Sequence, residues 1–80
     1  MKAIVNIYLK EGVLDPQGKA VAHALDSLGF TGINEVRVGK QIVIDITSKS
    51  KKDADIEVKK MCEELLANTV IENYDYSLVS

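Results

Sequence analysis

The sequence predicts an α+β domain in which four strands and two helices follow one another in the order β-α-β-β-α-β. Three observations carry this prediction. Apolar and polar residues alternate in the first and last segments, as in strands with one buried face. Two other segments repeat apolar residues at helical spacing, and Gly, Pro, Asp or Asn residues punctuate the chain between segments. At 80 residues, 46% of them hydrophobic, the chain is predicted to form a single domain over residues 1–80.

The first predicted strand covers residues 2–9. One of its faces is entirely apolar and consists of Ala3, Val5, Ile7 and Leu9. The other face is mixed, because Asn6 lies between Ile4 and Tyr8. We therefore expect the first face to pack against helices and the second to meet solvent or another subunit.

The first helix is predicted to begin at Pro16 with Asp15 as its N-cap, because a carboxylate accepts free backbone N–H groups and proline needs no donor there. Gly29 is well placed to end it. Gly18 lies in the first turn, where glycine costs ~1 kcal/mol relative to alanine. This predicts close approach by another stretch of backbone or by a partner; an incidental glycine is the alternative. The apolar stripe consists of Ala20, Val21, Ala24, Leu25 and Leu28.

Residues 34–38 and 41–47 are predicted to be two strands joined by a hairpin, with Gly39 and Lys40 at its tip. A three-residue loop keeps the apolar residues of both strands on one face. A two-residue loop would instead place Arg37 opposite an isoleucine, and a slip of one residue exchanges the two faces. We therefore favour the loop of three residues.

A polar linker over residues 48–52 leads to a second helix over residues 53–67 and a last strand over residues 70–78. The apolar stripe of this helix consists of Ala54, Val58, Met61, Cys62, Leu65 and Leu66. The last strand places Tyr74 and Tyr76 on one face. The simplest packing sets both helices on one face of a four-stranded antiparallel sheet, with the ferredoxin-like strand order 4-1-3-2.

The second face of this sheet is predicted to mix apolar and polar side chains. Its members are Ile4, Tyr8, Val43, Asn6, Arg37 and Asp45. A face this apolar is poorly suited to full exposure, which predicts self-association. Tyr8, Tyr74 and Tyr76 are the candidate self-association residues, because amphipathic aromatic side chains are favoured at interfaces.

Composition excludes several classes of function. A net charge of -2 and a sequence pI near 5.3 give no basic surface for a nucleic-acid backbone. No apolar run reaches the length of a membrane span and no secretory leader is recognisable, so we expect a cytoplasmic protein without a membrane partner. Cys62 is the only cysteine, which excludes an intrachain disulfide and a CxxC metal site.

No segment carries a motif for catalysis. Gly39 and Lys40 lack the spacing of a phosphate-binding loop, because Gln41 occupies the place of its Ser or Thr. His23 lies beside the apolar stripe of the first helix and no Ser or Cys motif accompanies it. The loop at residues 10–12 lacks the arginine of an acylphosphatase and the cysteine pair of a heavy-metal carrier. The sequence therefore predicts no catalytic residue and no metal site.

Three segments acquire meaning when they are taken together. They read GVLDPQG at positions 12–18, VRVGK at positions 36–40, and MCEELLAN at positions 61–68 with VIE at positions 70–72. In this order and spacing the chain resembles the PurS subunits of phosphoribosylformylglycinamidine synthase. Thr69 departs from the family, whose members commonly carry proline after the asparagine.

The resemblance implies a function in purine biosynthesis. PurS subunits assemble with a glutaminase subunit and an ATP-dependent synthetase subunit that convert formylglycinamide ribonucleotide to formylglycinamidine ribonucleotide. Glutamine supplies the ammonia, and ATP with magnesium belongs to the synthetase. The small subunit resembles a non-catalytic adaptor, a homodimer or homotetramer, that bridges its partners and supports ammonia transfer. It is implied to bind no cofactor itself.

Two docking edges follow from the positions of the matching segments. Asp15, Pro16 and Gly18 are expected to shape one edge, and Gly39 and Lys40 the other at the hairpin tip. An ACT-like module that binds a small molecule is the alternative interpretation, because the glycine-led segments at positions 12–14 and 32–33 resemble that pattern.

Overall fold

The fold is an antiparallel sheet with two helices, as a computed structural model that describes residues 1–47 and 50–80 shows. Its elements in chain order are β1 (Lys2–Leu9), α1 (Pro16–Ser27), β2 (Lys40–Asp45), α2 (Lys51–Met61) and β3 (Glu72–Val79). A single π-helical segment, Cys62–Leu66, extends α2. The predicted α+β class and the antiparallel sheet are confirmed.

The three strands of the sheet lie in the order β2-β1-β3, and both pairs are antiparallel. In the central strand, Val5 lies opposite Ile42 on one side and opposite Tyr76 on the other. This is the predicted ferredoxin-like order with one strand missing, because the predicted first, third and fourth strands occupy their expected places.

The fourth strand predicted for residues 34–38 does not form within the described part of the chain. The prediction of a hairpin at Gly39 is therefore wrong. The physical reason is that this segment already uses its backbone elsewhere. The Val38 N–H donates to the Asp15 carboxylate at 2.8 Å, and the Val36 carbonyl lies against Gly18. Lys40, expected at a hairpin tip, is already in β2 and pairs with Ile7.

A small core lies between the sheet and α2. Its buried members are Ala3, Val5, Ile7, Ile46, Ala54, Val58, Cys62 and Ala67. The apolar face predicted for the first strand therefore packs against a helix as expected. Alternation along β3 turns Tyr74, Tyr76 and Leu78 toward the same side, where they pack against this core.

Helix α2 begins two residues before its predicted start and ends in a wider turn. The Ser50 side chain caps it by accepting the Asp53 N–H at 3.1 Å, whereas the first two linker residues, 48 and 49, lie outside the described residues. At the other end the Ala67 N–H donates to the Cys62 carbonyl, five residues back, at 3.0 Å. This π-type turn leaves Leu65 82% exposed, so its predicted place in the buried stripe is wrong.

Helix α1 projects away from the sheet of its own chain. Gly18 is its only buried residue, and α1 has no contact with a strand comparable to that of α2 with β3. The radius of gyration is 16.2 Å, against about 11.6 Å for a compact chain of this length. The isolated chain therefore differs from the expectation of two helices on one sheet. We call residues 14–38, which contain α1 and the extended return segment, the arm.

Candidate subunit-docking site

Asp15 ties the two ends of the arm together. One carboxylate oxygen accepts the N–H of Gly18 at 2.8 Å, which is the predicted N-cap, and the other accepts the N–H of Val38 at 2.8 Å. The residue is only 5% exposed. The bond from Val38, followed by the bond from Gly18, holds the pKa of Asp15 below its ordinary value, because both favour the charged carboxylate. Asp15 is therefore an anionic clamp at neutral pH.

Two glycines allow backbones to meet at this clamp. A methyl group on Gly18 would collide with the carbonyl oxygen of Val36, and one on Gly39 would lie 2.8 Å from the carbonyl oxygen of Ile7. The close approach predicted at Gly18 is therefore made by the chain's own backbone. Of the two explanations given for this glycine, another stretch of backbone or a partner, the first therefore accounts for it within one chain.

Arg37 attaches the return segment to the loop after β1. Its guanidinium donates to the Lys10 carbonyl at 3.2 Å and lies 3.7 Å from the Glu35 carboxylate. The Lys10 N–H in turn donates to the Ile71 carbonyl at 2.8 Å, which joins this loop to the turn before β3. The base of the arm is therefore held from both sides. Arg37 does not lie on the open face of the sheet, where it was predicted.

Four of the five predicted docking residues meet in one groove where the arm leaves and rejoins the sheet. We call it the root groove; its volume is about 420 Å³, and Asp15, Pro16, Gly39 and Lys40 are among its lining residues. Tyr8 lines it as well. The sequence predicted two separate docking edges, and the fold merges them because both ends of the arm lie at the same end of β1. Their role in docking stays a prediction.

Gly18 lies outside the root groove, in a smaller recess of about 180 Å³ beneath α1. Asp15 lines both spaces. Gly18 therefore supports the wall of the root groove through Asp15 rather than facing a partner in that groove.

The tyrosines predicted for self-association have different surroundings. Tyr8 is 43% exposed on the open face of the sheet. The hydroxyl of Tyr74 donates to the Glu63 carboxylate at 2.6 Å, and that of Tyr76 donates to the Asp55 carboxylate at 2.8 Å. Tyr74 and Tyr76 thus join β3 to the α2 region within one chain, and a part in self-association stays a prediction for all three tyrosines.

These two bonds also change the acidity of the tyrosines. The bond to the Glu63 carboxylate, with burial next, raises the pKa of Tyr74 to about 12, because deprotonation would leave two anions in contact. The bond to Asp55 raises the pKa of Tyr76 in the same way. Sequence reasoning missed both carboxylates. The available signal was spacing, since Asp55 and Glu63 are eight residues apart and recur on one side of a helix.

The open face of the sheet carries a ladder of amide and carboxylate groups. The Gln41 amide donates to the Asn6 side-chain oxygen at 2.9 Å, and the Asn6 amide donates to Asp75 at 2.9 Å. Val43 beside this ladder is 55% exposed. The centre of the face is therefore polar, with its side-chain groups paired across three strands, although apolar side chains flank it as predicted.

The residues most apt for chemistry are dispersed. Burial raises the pKa of the Cys62 thiol, with a smaller contribution from Glu63, which makes it a poor nucleophile. His23 is exposed on the arm. Over residues 1–47 and 50–80, no three His, Cys, Asp or Glu side chains come together as a metal site. Over the same ranges, no helix combines the length and the hydropathy of a transmembrane span.

The fold and the root groove define a small α+β protein with an antiparallel sheet and a projecting helical arm. The model of the PurS family, described as phosphoribosylformylglycinamidine (FGAM) synthase, matches residues 2–80. The chain belongs to the PurS family, and it is accordingly a subunit of FGAM synthase, a ligase of purine biosynthesis. This confirms the resemblance in the sequence and favours it over the ACT-like interpretation.

Individual relatives agree over nearly the whole chain. The PurS subunit of Bacillus subtilis is 53% identical over 77 residues, which are 96% of this chain and 90% of that protein. That of Archaeoglobus fulgidus is 49% identical over 92% of both chains. Among solved structures, B. subtilis PurS in its C2 crystal form has a TM-score of 0.87 at 52% identity, covering 99% of this chain and 98% of that one. The structure named PurLQS from Thermotoga maritima has a TM-score of 0.86 at 31% identity, covering 98% and 95%.

Proposed function

We propose that this chain is the non-catalytic adaptor of FGAM synthase, bridging its glutaminase and synthetase subunits. The observation that supports this proposal most directly is the large accessible surface of the chain. Its accessible surface is 5898 Å², against about 4,800 Å² for a compact protein of 8.8 kDa. The excess of about 1,100 Å² is more than the roughly 800 Å² that each partner buries in a standard interface.

The chemistry of the proposed complex lies in the partners. The glutaminase subunit releases ammonia from glutamine, and the synthetase subunit binds ATP and magnesium and converts formylglycinamide ribonucleotide to formylglycinamidine ribonucleotide. The dispersed titratable groups of this chain support that division. Its contribution is to hold the two partners in register so that ammonia passes between them, in the cytoplasm.

The root groove is the proposed contact with another subunit of the complex. It is open to solvent, and the exposed residues Pro16 and Lys40 add an apolar ring and an ammonium group to its lining. The clamp at Asp15 fixes this geometry before any partner binds, so little conformational entropy is lost on docking. The same subunit is proposed to self-associate as a homodimer or homotetramer, supported by the exposed apolar side chains of the arm.

Reconstitution tests the adaptor function. Purified glutaminase and synthetase subunits are combined with and without this chain, and turnover is measured with glutamine and with ammonium chloride. We expect omission to abolish assembly and glutamine-dependent turnover while ammonium-dependent turnover persists. Intact assembly and unchanged glutamine-dependent turnover without this chain would contradict the proposal.

A charge reversal tests the root groove. Lys40→Glu is compared with Lys51→Glu, a matched reversal at the exposed start of α2, at the opposite end of the sheet. We expect Lys40→Glu to weaken binding of a partner subunit at least about tenfold, as loss of one good interface contact does, and Lys51→Glu to leave it unchanged. Equal binding by both variants excludes the root groove as a docking surface.

A further inference from the structure

The lining of the root groove comes from both ends of the arm. Pro16 and Gln17 belong to its start, in the first turn of α1, and Val38 is its last residue. Gly39 and Lys40 continue the lining from Val38 into β2. The groove therefore has its shape only while the two ends of the arm are held together.

A single carboxylate holds these two ends. One oxygen of Asp15 accepts the Gly18 N–H at 2.8 Å, and the other accepts the Val38 N–H at 2.8 Å, 23 positions further along the chain. Asp15 lines both the root groove and the recess beneath α1, whereas Val38 lines only the groove and Gly18 only the recess. A carboxylate that is 5% exposed has little room to move toward one donor without lengthening its bond to the other.

Close backbone contacts leave little slack on either side of this clamp. At Gly18 the backbone of α1 meets the Val36 carbonyl oxygen so closely that a methyl group would not fit, and Gly39 packs in the same way against the Ile7 carbonyl oxygen. Packed contacts of this kind move between discrete arrangements rather than deform continuously. We therefore expect the arm to be either clamped or released, and the root groove to be complete only in the clamped state.

We propose that Asp15 is a positioning residue that couples the root groove to the arm, so that a subunit seated in the groove holds α1 in place. The occupant binds the clamped state in preference to the released state, and it therefore suppresses release of the arm. Reciprocally, whatever holds the arm in place tightens binding in the groove. This inference rests on the proposed function, because the occupant is a subunit of the complex.

Hydrogen exchange at the Gly18 amide reports the coupling. This amide is bonded to Asp15 but lies outside the root groove, so an occupant of the groove does not cover it. Free partner at about 100 times its Kd should make release of the arm about 100-fold rarer, and exchange at Gly18 should slow by the same factor. The matched amide is that of Asp53, which the Ser50 side chain caps at the start of α2, and its exchange should not change.

The synthetase subunit and the glutaminase subunit are added in turn to the unmodified chain. The subunit whose binding Lys40→Glu weakens is the occupant of the groove, and exchange is measured with that subunit. This measurement needs no variant of Asp15, so it does not depend on whether such a variant folds.

Serine at position 15 separates the helix cap from the coupling. Serine is a good N-cap, so Asp15→Ser keeps an acceptor for the Gly18 amide, but its single short hydroxyl does not also hold Val38. We expect Asp15→Ser to weaken partner binding at least about tenfold, because only a fraction of the chains then has the groove complete. The slowing at Gly18 should fall below about twofold. Ser50→Ala, which removes the cap of α2, should alter neither quantity, and circular dichroism verifies that both variants keep their helices.

The outcomes separate this inference from the proposed function. An unchanged exchange rate at Gly18 in the bound chain, or equal slowing at Gly18 and Asp53, overturns the coupling and leaves the root groove as a docking surface. Partner binding by Asp15→Ser as tight as that of the unmodified chain overturns it as well. If Lys40→Glu binds both subunits normally, the root groove fails as a docking surface and the coupling fails with it, while reconstitution still decides the adaptor function.

Discussion

The sheet with α2 and the arm differ in what they bury, although both contain an apolar helix stripe. Val58 on α2 is fully buried, whereas Leu28 and Phe30 on the arm are 74% and 57% exposed. Helix α1 is nevertheless the more apolar of the two helices. The comparison teaches that the stripe of α2 stabilises the single chain, whereas that of α1 stays largely uncovered in it, which is the surface that the proposed self-association would use.

The same substitution, valine to alanine, made once in each region gives the largest expected difference between them. Val58→Ala removes two methyl groups from a closed core and should lower the free energy of unfolding by about 2 to 3 kcal/mol. Val21→Ala removes the same groups from the 39% exposed stripe of α1. Its direct cost to one chain should be below about 0.5 kcal/mol. Urea unfolding followed by circular dichroism measures both.

Protein concentration distinguishes the two losses further. The deficit of Val58→Ala should be the same at every concentration, because the contact lies within one chain. That of Val21→Ala should grow with concentration, because a dimer stabilises the folded state by mass action. Equal, concentration-independent deficits would mean that the arm packs within its own chain.

A methyl group at the clamp gives the next largest effect. Gly18→Ala should push the Val36 carbonyl away from α1 and cost about 1 to 3 kcal/mol, as overpacking does. Ala20→Ser is the control, because it enlarges an exposed position of the same helix. Hydrogen exchange of the amides of α1 and β1 shows where the cost falls.

The location of the exchange distinguishes two consequences of Gly18→Ala. We expect faster exchange in α1 with little change in β1, since the clamp holds the arm and the core holds the sheet. Exchange that accelerates equally in β1 would show that arm and sheet unfold as one unit.

The sequence was sufficient wherever one local pattern decides the structure. The cap at Asp15, the first turn at Pro16 and the apolar face of β1 follow from residue type and spacing, and the structure confirms them. The strand order also follows, because antiparallel neighbours and short connections leave few alternatives. The resemblance to PurS rested on three short segments and is confirmed over residues 2–80.

Errors arose where a distant contact overrides local preference. Residues 34–38 have the side chains of a strand, but Val38 gives its N–H to Asp15, 23 positions earlier. Likewise, helical periodicity placed Leu65 inward, and a single wider turn rotates it to the solvent. The periodicity of the sequence also could not predict that the two docking edges lie in one root groove. That arrangement depends on where the two ends of the arm meet in the folded chain.

Acid should loosen the arm, and alkali should loosen the packing of the α2 region on the sheet. Of the three predictions, this one concerns the smallest changes in stability. The arm is clamped by the ionised Asp15, whose pKa is lowered by the N–H bonds of Val38 and Gly18. Its contribution is complete above the unfolded value of about 4 and is lost as pH falls through the lower folded value. Acid should therefore release the arm, and Asp15→Asn should remove that part of the acid dependence.

Alkali should act on α2 instead. The raised pKa of Tyr74, about 12, means that its contribution is complete below the unfolded value near 10 and is lost as pH rises from 10 to 12. Tyr74→Phe should cost about 1 kcal/mol at neutral pH and flatten this alkaline loss, because the hydroxyl bond to Glu63 is absent. Tyr8→Phe is the control on the open face.

Hydrogen exchange at pH 3 measures the effect of acid, and unfolding by urea between pH 9 and 11 measures the effect of alkali. Acid should accelerate exchange in α1 before β1, and the stability of Tyr74→Phe should approach that of the unmodified chain as pH rises. The physical reason for the asymmetry is the donor at each carboxylate. Backbone N–H groups hold Asp15 and do not titrate, whereas a phenol holds Glu63 and does. If acid released α1 and β1 together, the clamp would belong to the same cooperative unit as the core, and the arm would not be a separate region.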